Sequence, residues 1–147
     1  TVDLQELSDR TEIRDAITNY TFGIDLAEWD RLDKVFTPDA AINYVESGGI
    51  EATYAEIKPW LEQNLAVAPN RVHMIGQIDF EHLPDGDIQA NAYFYNPMTF
   101  DFGPDSKFPV EVTGIYRHTF TRTDAGWRSR KLHETVLWKR GFEALGM

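Results

Sequence analysis

The spacing of apolar residues changes near Arg71, and this change constrains the fold more than any other feature of the sequence. Before Arg71, apolar residues recur mostly every three or four positions, which is typical of helices buried along one stripe. After it, they alternate with polar residues, and β-branched and aromatic residues dominate, which is typical of strands. The 147 residues contain no repeat or linker. The sequence therefore predicts one α+β domain spanning residues 1–147.

The first half predicts three helices and one short strand. The first helix ends near Asp25, and a second spans residues 30–36 and stops before Pro38. A brief strand at residues 41–45 precedes a third helix at residues 54–66. The apolar stripe of the first helix consists of Leu4, Leu7, Ile13, Ile17, Tyr20 and Ile24.

The second half predicts four strands. Residues 84–86 and 124–126 are tight hairpin turns, whereas residues 103–109 form a looser loop. The strands are expected to form a strongly curved, mixed but mostly antiparallel sheet around the helices, which leaves a cone with an open mouth. The predicted strands are residues 71–83, 87–100, 110–123 and 127–138.

Charge and cysteine content argue against several classes of function. Fourteen Lys and Arg residues against 24 Asp and Glu give a formal charge of −10, which disfavours binding to nucleic acid or anionic membranes. The absence of cysteine excludes disulfides and thiolate catalysis, and the four histidines lack metal-site spacing. No apolar run is long enough for a membrane span, and the amino terminus is too polar for a signal peptide. We expect a cytoplasmic protein without metal or cofactor.

Several motifs, taken in order, resemble one known family along nearly the whole chain. They are Tyr20-x4-Asp25-x3-Trp29-x2-Leu32-x3-Phe36-x2-Asp39, Gly114-x-Tyr116-x3-Phe120 and Gly126-Trp127-Arg128. The chain thereby resembles SnoaL-like proteins of the nuclear-transport-factor-2-like (NTF2-like) superfamily, which include scytalone dehydratase, bile-acid 7α-dehydratase and the lindane dehydrochlorinase. The resemblance implies a cystatin-like cone in which three amino-terminal helices pack in the curved sheet.

The resemblance also implies a catalytic pair, Asp25 and His73. The dehydratase and dehydrochlorinase branches place an Asp at the end of the first helix and a His at the start of the first long strand. Asp25 and His73, 48 positions apart, match both places. Tyr20 matches a tyrosine of the bile-acid dehydratase that precedes its Asp by five positions, and is implied as a third catalytic residue. Ile24 stands where scytalone dehydratase has a tyrosine, so the orientation of the substrate is not implied.

The chemistry of such a pair follows from its side chains. An imidazole that titrates near neutral pH suits a general base, and a carboxylate on its other nitrogen fixes the tautomer and stabilises the imidazolium. With His73 as base and Asp25 as orienting acid, a proton is removed next to an activating group and returned to a leaving hydroxyl. The resemblance therefore implies a cofactor-independent lyase of the dehydratase type, with isomerisation or cyclisation as close variants.

Further residues are expected to line the pocket. Tyr20 and Tyr44 are candidate hydrogen-bond donors, although an ordinary core position is equally open for Tyr20. His118 shares strand parity with the inward-facing Tyr116, whereas the parity of His133 depends on whether a bulge interrupts the last strand. The aromatic content favours a hydrophobic, ring-containing hydroxylated substrate. The candidate substrate-binding residues are Tyr44, Asn43, Tyr116, His118, Trp29, Phe22 and Met74.

Two functions other than catalysis remain open at this point. The same scaffold serves as a noncatalytic small-molecule-binding domain and as a structural subunit, because a fold alone does not fix a function. A carrier or scaffold does not need a buried base with an orienting acid, so Asp25 and His73 separate these alternatives from a lyase. The resemblance further implies a homodimer, trimer or tetramer.

Overall fold

The computed structural model describes residues Thr1–Gly146 and confirms the α+β architecture. Two α-helices, α1 (Leu4–Asp25) and α2 (Tyr54–Leu65), lie in the first half of the chain. Three short 3-10 helices span Trp29–Lys34, Val45–Ser47 and Phe142–Leu145. The strands are β1 (Phe36–Asn43), β2 (Glu51–Thr53), β3 (Asn70–Arg71), β4 (Met74–His82), β5 (Ile88–Asp101), β6 (Lys107–Thr123) and β7 (Gly126–Arg140). Within residues 1–146, none of the helices is both long and apolar enough to cross a membrane.

The strands form one mixed, mostly antiparallel sheet, as predicted. Its order is β2-β1-β7-β6-β5-β3, and β4 pairs with β5 alongside β3. Only β1 and β7 run parallel among the strand pairs of the described chain. The long β5–β6 and β6–β7 hairpins form the centre, and the helices pack against the curved sheet. The β6–β7 register shifts twice, between Thr113 and Gly114 and between Thr119 and Phe120.

The apolar stripe of α1 is shorter than the sequence predicts. Asp3 caps the helix by accepting a hydrogen bond from the backbone N–H of Glu6. Leu4 and Leu7 are exposed, because the first two turns extend beyond the edge of the core. The residues of the stripe that are buried are Ile13, Ile17, Tyr20 and Ile24.

The segment around Phe36 differs from the expected second helix. The helix is of the 3-10 type and ends at Lys34, because Phe36 already pairs with Ser129 of β7. Strand β1 therefore begins earlier and ends earlier than predicted. Pro38 lies inside the strand, where the β1–β7 register is irregular and its missing N–H is tolerated.

The strand predicted at residues 71–83 is broken between β3 and β4, and His73 lies at the break. The backbone N–H of Val72 donates to the carbonyl of Pro97 in β5. Pro97 has no N–H to return the bond, so the carbonyl of Val72 instead accepts one from the Asn96 side chain, at 2.9 Å. The break frees the backbone N–H of His73 for a partner outside the sheet.

Candidate functional site

The carboxyl end of α1 presents Asp25 toward the break in the sheet. The helix ends in a Schellman-type turn, in which the backbone N–H of Glu28 donates to the carbonyl of Gly23 at 2.8 Å. Ala27 adopts the left-handed conformation of this turn, with φ of 56°. The turn stops the helix immediately after Asp25, so that its carboxylate projects from the last helical position.

Asp25 and His73 form two hydrogen bonds. The backbone N–H of His73 donates to Oδ2 of Asp25 at 2.7 Å, and Nδ1 of the ring lies 2.6 Å from Oδ1. A carboxylate only accepts, so Nδ1 of the ring is the donor, and in the neutral imidazole Nε2 carries the lone pair. Nε2 has no hydrogen-bond partner within residues 1–146. The side chains of His73 and Asp25 are 7% and 12% exposed, which leaves the imidazole oriented and largely shielded from water.

Arg71 ties together the segments that carry the pair. Its guanidinium donates two hydrogen bonds to the carbonyl of Ile24, at 2.9 and 2.6 Å. It also donates to the carbonyls of Leu65 and Ala68, at 3.0 and 2.9 Å. Ile24 and Leu65 lie at the carboxyl-terminal ends of α1 and α2, where carbonyls lack partners within the helix. Ala68 lies in the loop after α2. Arg71 therefore fixes the end of α1, and with it Asp25, two residues from His73.

His73 lines a cavity of about 310 Å³ between the helices and the sheet. The cavity is mostly apolar, with aromatic walls on several sides, which suits a small organic molecule. Its polar groups are few, and they come from different elements of the fold. The lining residues are Tyr20, Ile24, Tyr44, Ser47, Gly48, Gly49, Trp60, Leu61, Asn64, Leu65, Val67, His73, Asn96, Met98, Phe100, Val112, Tyr116, Glu134 and Phe142.

Three tyrosines proposed from the sequence meet at this cavity. The hydroxyls of Tyr20 and Tyr44 lie 2.5 Å apart, and Tyr116 packs edge-on against Tyr20 with ring centroids 5.2 Å apart. Burial raises the pKa of all three phenols well above the ordinary value, so they stay neutral. The Tyr20–Tyr44 contact uses one hydroxyl proton, and a hydrogen bond from Tyr20 to Tyr116 uses another, so the three phenols form a connected chain of hydroxyls.

His118 shares the parity of Tyr116 but does not reach the cavity. It lies deeper in the core, fully buried between the rings of Phe36 and Phe120. The Ser129 hydroxyl donates to the carbonyl of Lys131 and accepts from His118 Nδ1 at 2.8 Å. Burial lowers the pKa of His118 to about 3, so it is a neutral residue of the core.

Four other candidates from the sequence also lie outside the cavity. Met74 and Phe22 are 59% and 51% exposed. Met74 directly follows the inward-facing His73, and Phe22 lies two positions after the inward-facing Tyr20, so both side chains point away from the cavity. Asn43 precedes the inward-facing Tyr44 and accepts a hydrogen bond from the Val45 backbone instead. One candidate, Trp29, packs beneath the guanidinium of Arg71.

Glu134 is the one acidic residue among the lining residues of the described chain, and sequence reasoning missed it. It is only 5% exposed, and its Oε1 has no hydrogen-bond partner within the described residues. Burial raises its pKa to about 7, with a smaller opposing contribution from a hydrogen bond with Ser47. The register shift near Thr119 puts Glu134 inside, next to Tyr116, and His133 outside, where it binds Glu46.

Comparisons with known proteins place the chain in a family. Residues 5–133 match the model of the SnoaL-like domain. The uncharacterized protein Rv2910c of Mycobacterium tuberculosis is 39% identical over 137 residues, which cover 92% of this chain and 90% of that protein.

Solved structures share the fold. The hexachlorocyclohexane dehydrochlorinase LinA-type3 of Novosphingobium barchaimii superposes with a TM-score of 0.80 at 17% identity, covering 95% of this chain and 93% of that one. A protein of Novosphingobium aromaticivorans provisionally titled scytalone dehydratase gives 0.77 at 15% identity, covering 92% and 88%. The fold is NTF2-like, and the chain belongs to the family of SnoaL-like domains.

Proposed function

We propose that the protein is a cofactor-independent lyase in which His73 is the general base. The observation that carries the proposal is the doubly hydrogen-bonded Asp25–His73 pair at the wall of a mostly apolar cavity. Two proteins of the same fold are titled as a dehydrochlorinase and, provisionally, a dehydratase, and both names denote elimination.

In the proposed reaction, Nε2 of His73 takes a proton from a carbon next to an activating group. The resulting imidazolium donates through Nδ1 to Asp25, whose negative charge stabilises it. The activating group first holds the C–H electron pair as an enolate, and this pair then forms the new double bond when the bond to the leaving group breaks. Proton transfer by a positioned base contributes about 10²–10⁴-fold, and the remainder is expected from orientation in the cavity and from the tyrosine hydroxyls.

The size and lining of the cavity indicate the class of substrate. Its volume of about 310 Å³ and its apolar, aromatic lining suit a compact ring-containing molecule rather than a long chain. The few polar groups that line the cavity suffice to hydrogen-bond one or two oxygen substituents. We therefore propose a hydrophobic compound with a ring and a leaving group next to an acidic C–H.

A deuterium-exchange assay tests the base without requiring the natural substrate. Cyclic ketones with a hydroxyl or chlorine on the β-carbon are incubated with the protein in D₂O, and exchange at the α-carbon is followed by NMR. Conjugated enone absorbance reports elimination, and chloride release from hexachlorocyclohexane provides a third probe. We expect His73→Ala to abolish exchange and elimination, whereas the exposed His82→Ala should behave like the wild type.

The alternative is a noncatalytic binding domain. In that case a ring compound would bind in the cavity, as seen by perturbation of the Trp60 fluorescence, without exchange or elimination. Equal exchange by wild-type protein and His73→Ala would contradict the proposed base, provided that both unfold at the same temperature.

A further inference from the structure

The carboxyl group of Glu134 has no assigned task in the base mechanism, although it lies in the same cavity as His73. Glu134 belongs to β7 and pairs with Tyr116 of β6. It is 95% buried, and Oε1 lacks a partner within residues 1–146. Buried polar atoms are normally hydrogen-bonded, so an unpaired carboxyl oxygen at a cavity wall marks a place for a ligand atom.

The surroundings of Glu134 favour its neutral form. No Lys or Arg is found among the described residues that line the cavity, so no cation there balances a carboxylate. The titratable groups around Glu134 are His73, which lines the same cavity, the neutral tyrosines Tyr20, Tyr44 and Tyr116, and the anionic Glu46 nearby. The pKa of about 7 is consistent with this geometry, because burial disfavours the charge and Glu46 repels it.

We propose that Glu134 is the general acid that protonates an oxygen leaving group, so that the natural substrate carries a hydroxyl rather than a halogen at the eliminated position. The inference rests on the proposed lyase function. Hydroxide is a poor leaving group until it is protonated, whereas chloride leaves without a proton. Departure of a halide requires no proton transfer, so a neutral carboxylic acid in the cavity favours an oxygen leaving group.

The proposed elimination uses His73 as proton acceptor and Glu134 as proton donor. His73 Nε2 takes the α-proton, and the C–H electron pair becomes the C=C bond. The C–O bond breaks, its pair stays with oxygen, and this oxygen takes the proton of Glu134 to leave as water. The products are the alkene, water, imidazolium and carboxylate, and transfer of one proton from His73 to Glu134 through solvent restores the site.

Matched probe compounds test the assignment. They are two cyclic ketones that differ only in having a β-hydroxyl or a β-chlorine, assayed with wild-type protein, Glu134→Gln, Glu134→Asp and the exposed Glu81→Gln as control. Glutamine keeps a hydrogen-bond donor but cannot transfer a proton. Elimination of the hydroxy ketone by Glu134→Gln should fall by about 10²–10⁴-fold, while that of the chloro ketone changes little. Glu134→Asp should retain part of the rate, and Glu81→Gln all of it.

An infrared measurement is independent of turnover. The C=O stretch of a buried protonated carboxyl should be present in wild type and Glu81→Gln at slightly acidic pH, and absent in Glu134→Gln. A spectrum without this band would overturn the neutral acid. Equal losses on the two ketones, or no loss on either, would also overturn the assignment.

The two proposals fail in different ways. α-Carbon exchange in D₂O depends on His73 and not on departure of the leaving group, so its loss in His73→Ala reports the base alone. The hydroxy-to-chloro rate ratio is taken within each variant and reports the acid alone. If wild-type protein exchanges the α-proton yet eliminates only the chloro ketone, the base stands and the role of Glu134 is wrong.

Discussion

The Asp25 carboxylate accepts two hydrogen bonds from the same residue, one from the backbone N–H of His73 and one from its ring Nδ1. The backbone N–H cannot change its role, so it fixes which oxygen of Asp25 faces it. The remaining oxygen therefore holds the proton on Nδ1. This arrangement predicts which way the side chain turns when Asp25 is replaced by asparagine, which has nearly the same shape.

In Asp25→Asn, the backbone N–H of His73 should retain the amide oxygen, which turns the amide NH₂ toward Nδ1. Nδ1 then accepts, the ring proton moves to Nε2, and the base is lost. We expect α-proton exchange to fall by about 10²–10⁴-fold, with little change in thermal stability. ¹⁵N NMR of the His73 ring measures the tautomer directly. A wild-type tautomer in Asp25→Asn would contradict this account.

Glu134 should make stability depend on pH. Its pKa is raised from 4.5 to about 7 in the folded protein, so its contribution is fully present below pH 4.5 and is lost as the pH rises through about 7. The difference corresponds to about 3 kcal/mol. Urea unfolding of wild type and Glu134→Gln across this range should show the variant gaining relative stability with rising pH. The lowered pKa of His118 has the opposite effect on stability, but it is present in both proteins and cancels. Parallel profiles of unfolding free energy against pH would contradict the raised pKa of Glu134.

Ala27→Gly should stabilise the protein. Ala27 has φ of 56° in the turn after Asp25, a conformation that costs an L-residue about 1 kcal/mol and glycine little. Thermal unfolding should show a gain of this size, reduced by the greater chain entropy of glycine. Ala55→Gly, at an exposed position of α2, is the matched control and should cost about 1 kcal/mol. A loss of stability in both variants would exclude strain at Ala27.

Arg71 is expected to act as a positioning residue. Lysine cannot reproduce four hydrogen bonds to three carbonyls, so Arg71→Lys should lose about 1–3 kcal/mol and loosen the end of α1. The ¹⁵N spectrum of His73 should then show a mixed tautomer, which a purely structural loss would not produce. Arg14→Lys, at an exposed position of α1, should leave both properties unchanged.

Some misplaced site residues were predictable from local geometry alone. Met74 follows His73 and Asn43 precedes Tyr44, and neighbouring residues in extended chain point to opposite sides. Phe22 lies two positions beyond Tyr20, which on a helix turns it about 200° from the buried stripe. Applying these rules strictly would have removed all three from the list.

Other features needed the assembled sheet. Glu134 is inside because the β6–β7 register shifts near Thr119, and a shift of one residue exchanges the inner and outer faces of a strand. His118 has the parity of a pocket residue but lies too deep along β6 to reach the cavity. The alternation of residues along a strand indicates which face of the sheet a side chain occupies, but not whether that part of the face lines the cavity.

The α+β class, the order of most elements and the resemblance that singled out Asp25 and His73 could all be predicted from the sequence, because periodicity and motif order are local properties of the chain. Three features depend on the tertiary structure: Pro97 lies opposite Val72 where the strand breaks before His73, Arg71 fixes the end of α1, and Glu134 enters the cavity. Each depends on which backbone groups lose their partners when distant segments pair, and such losses appear only when the whole sheet is assembled.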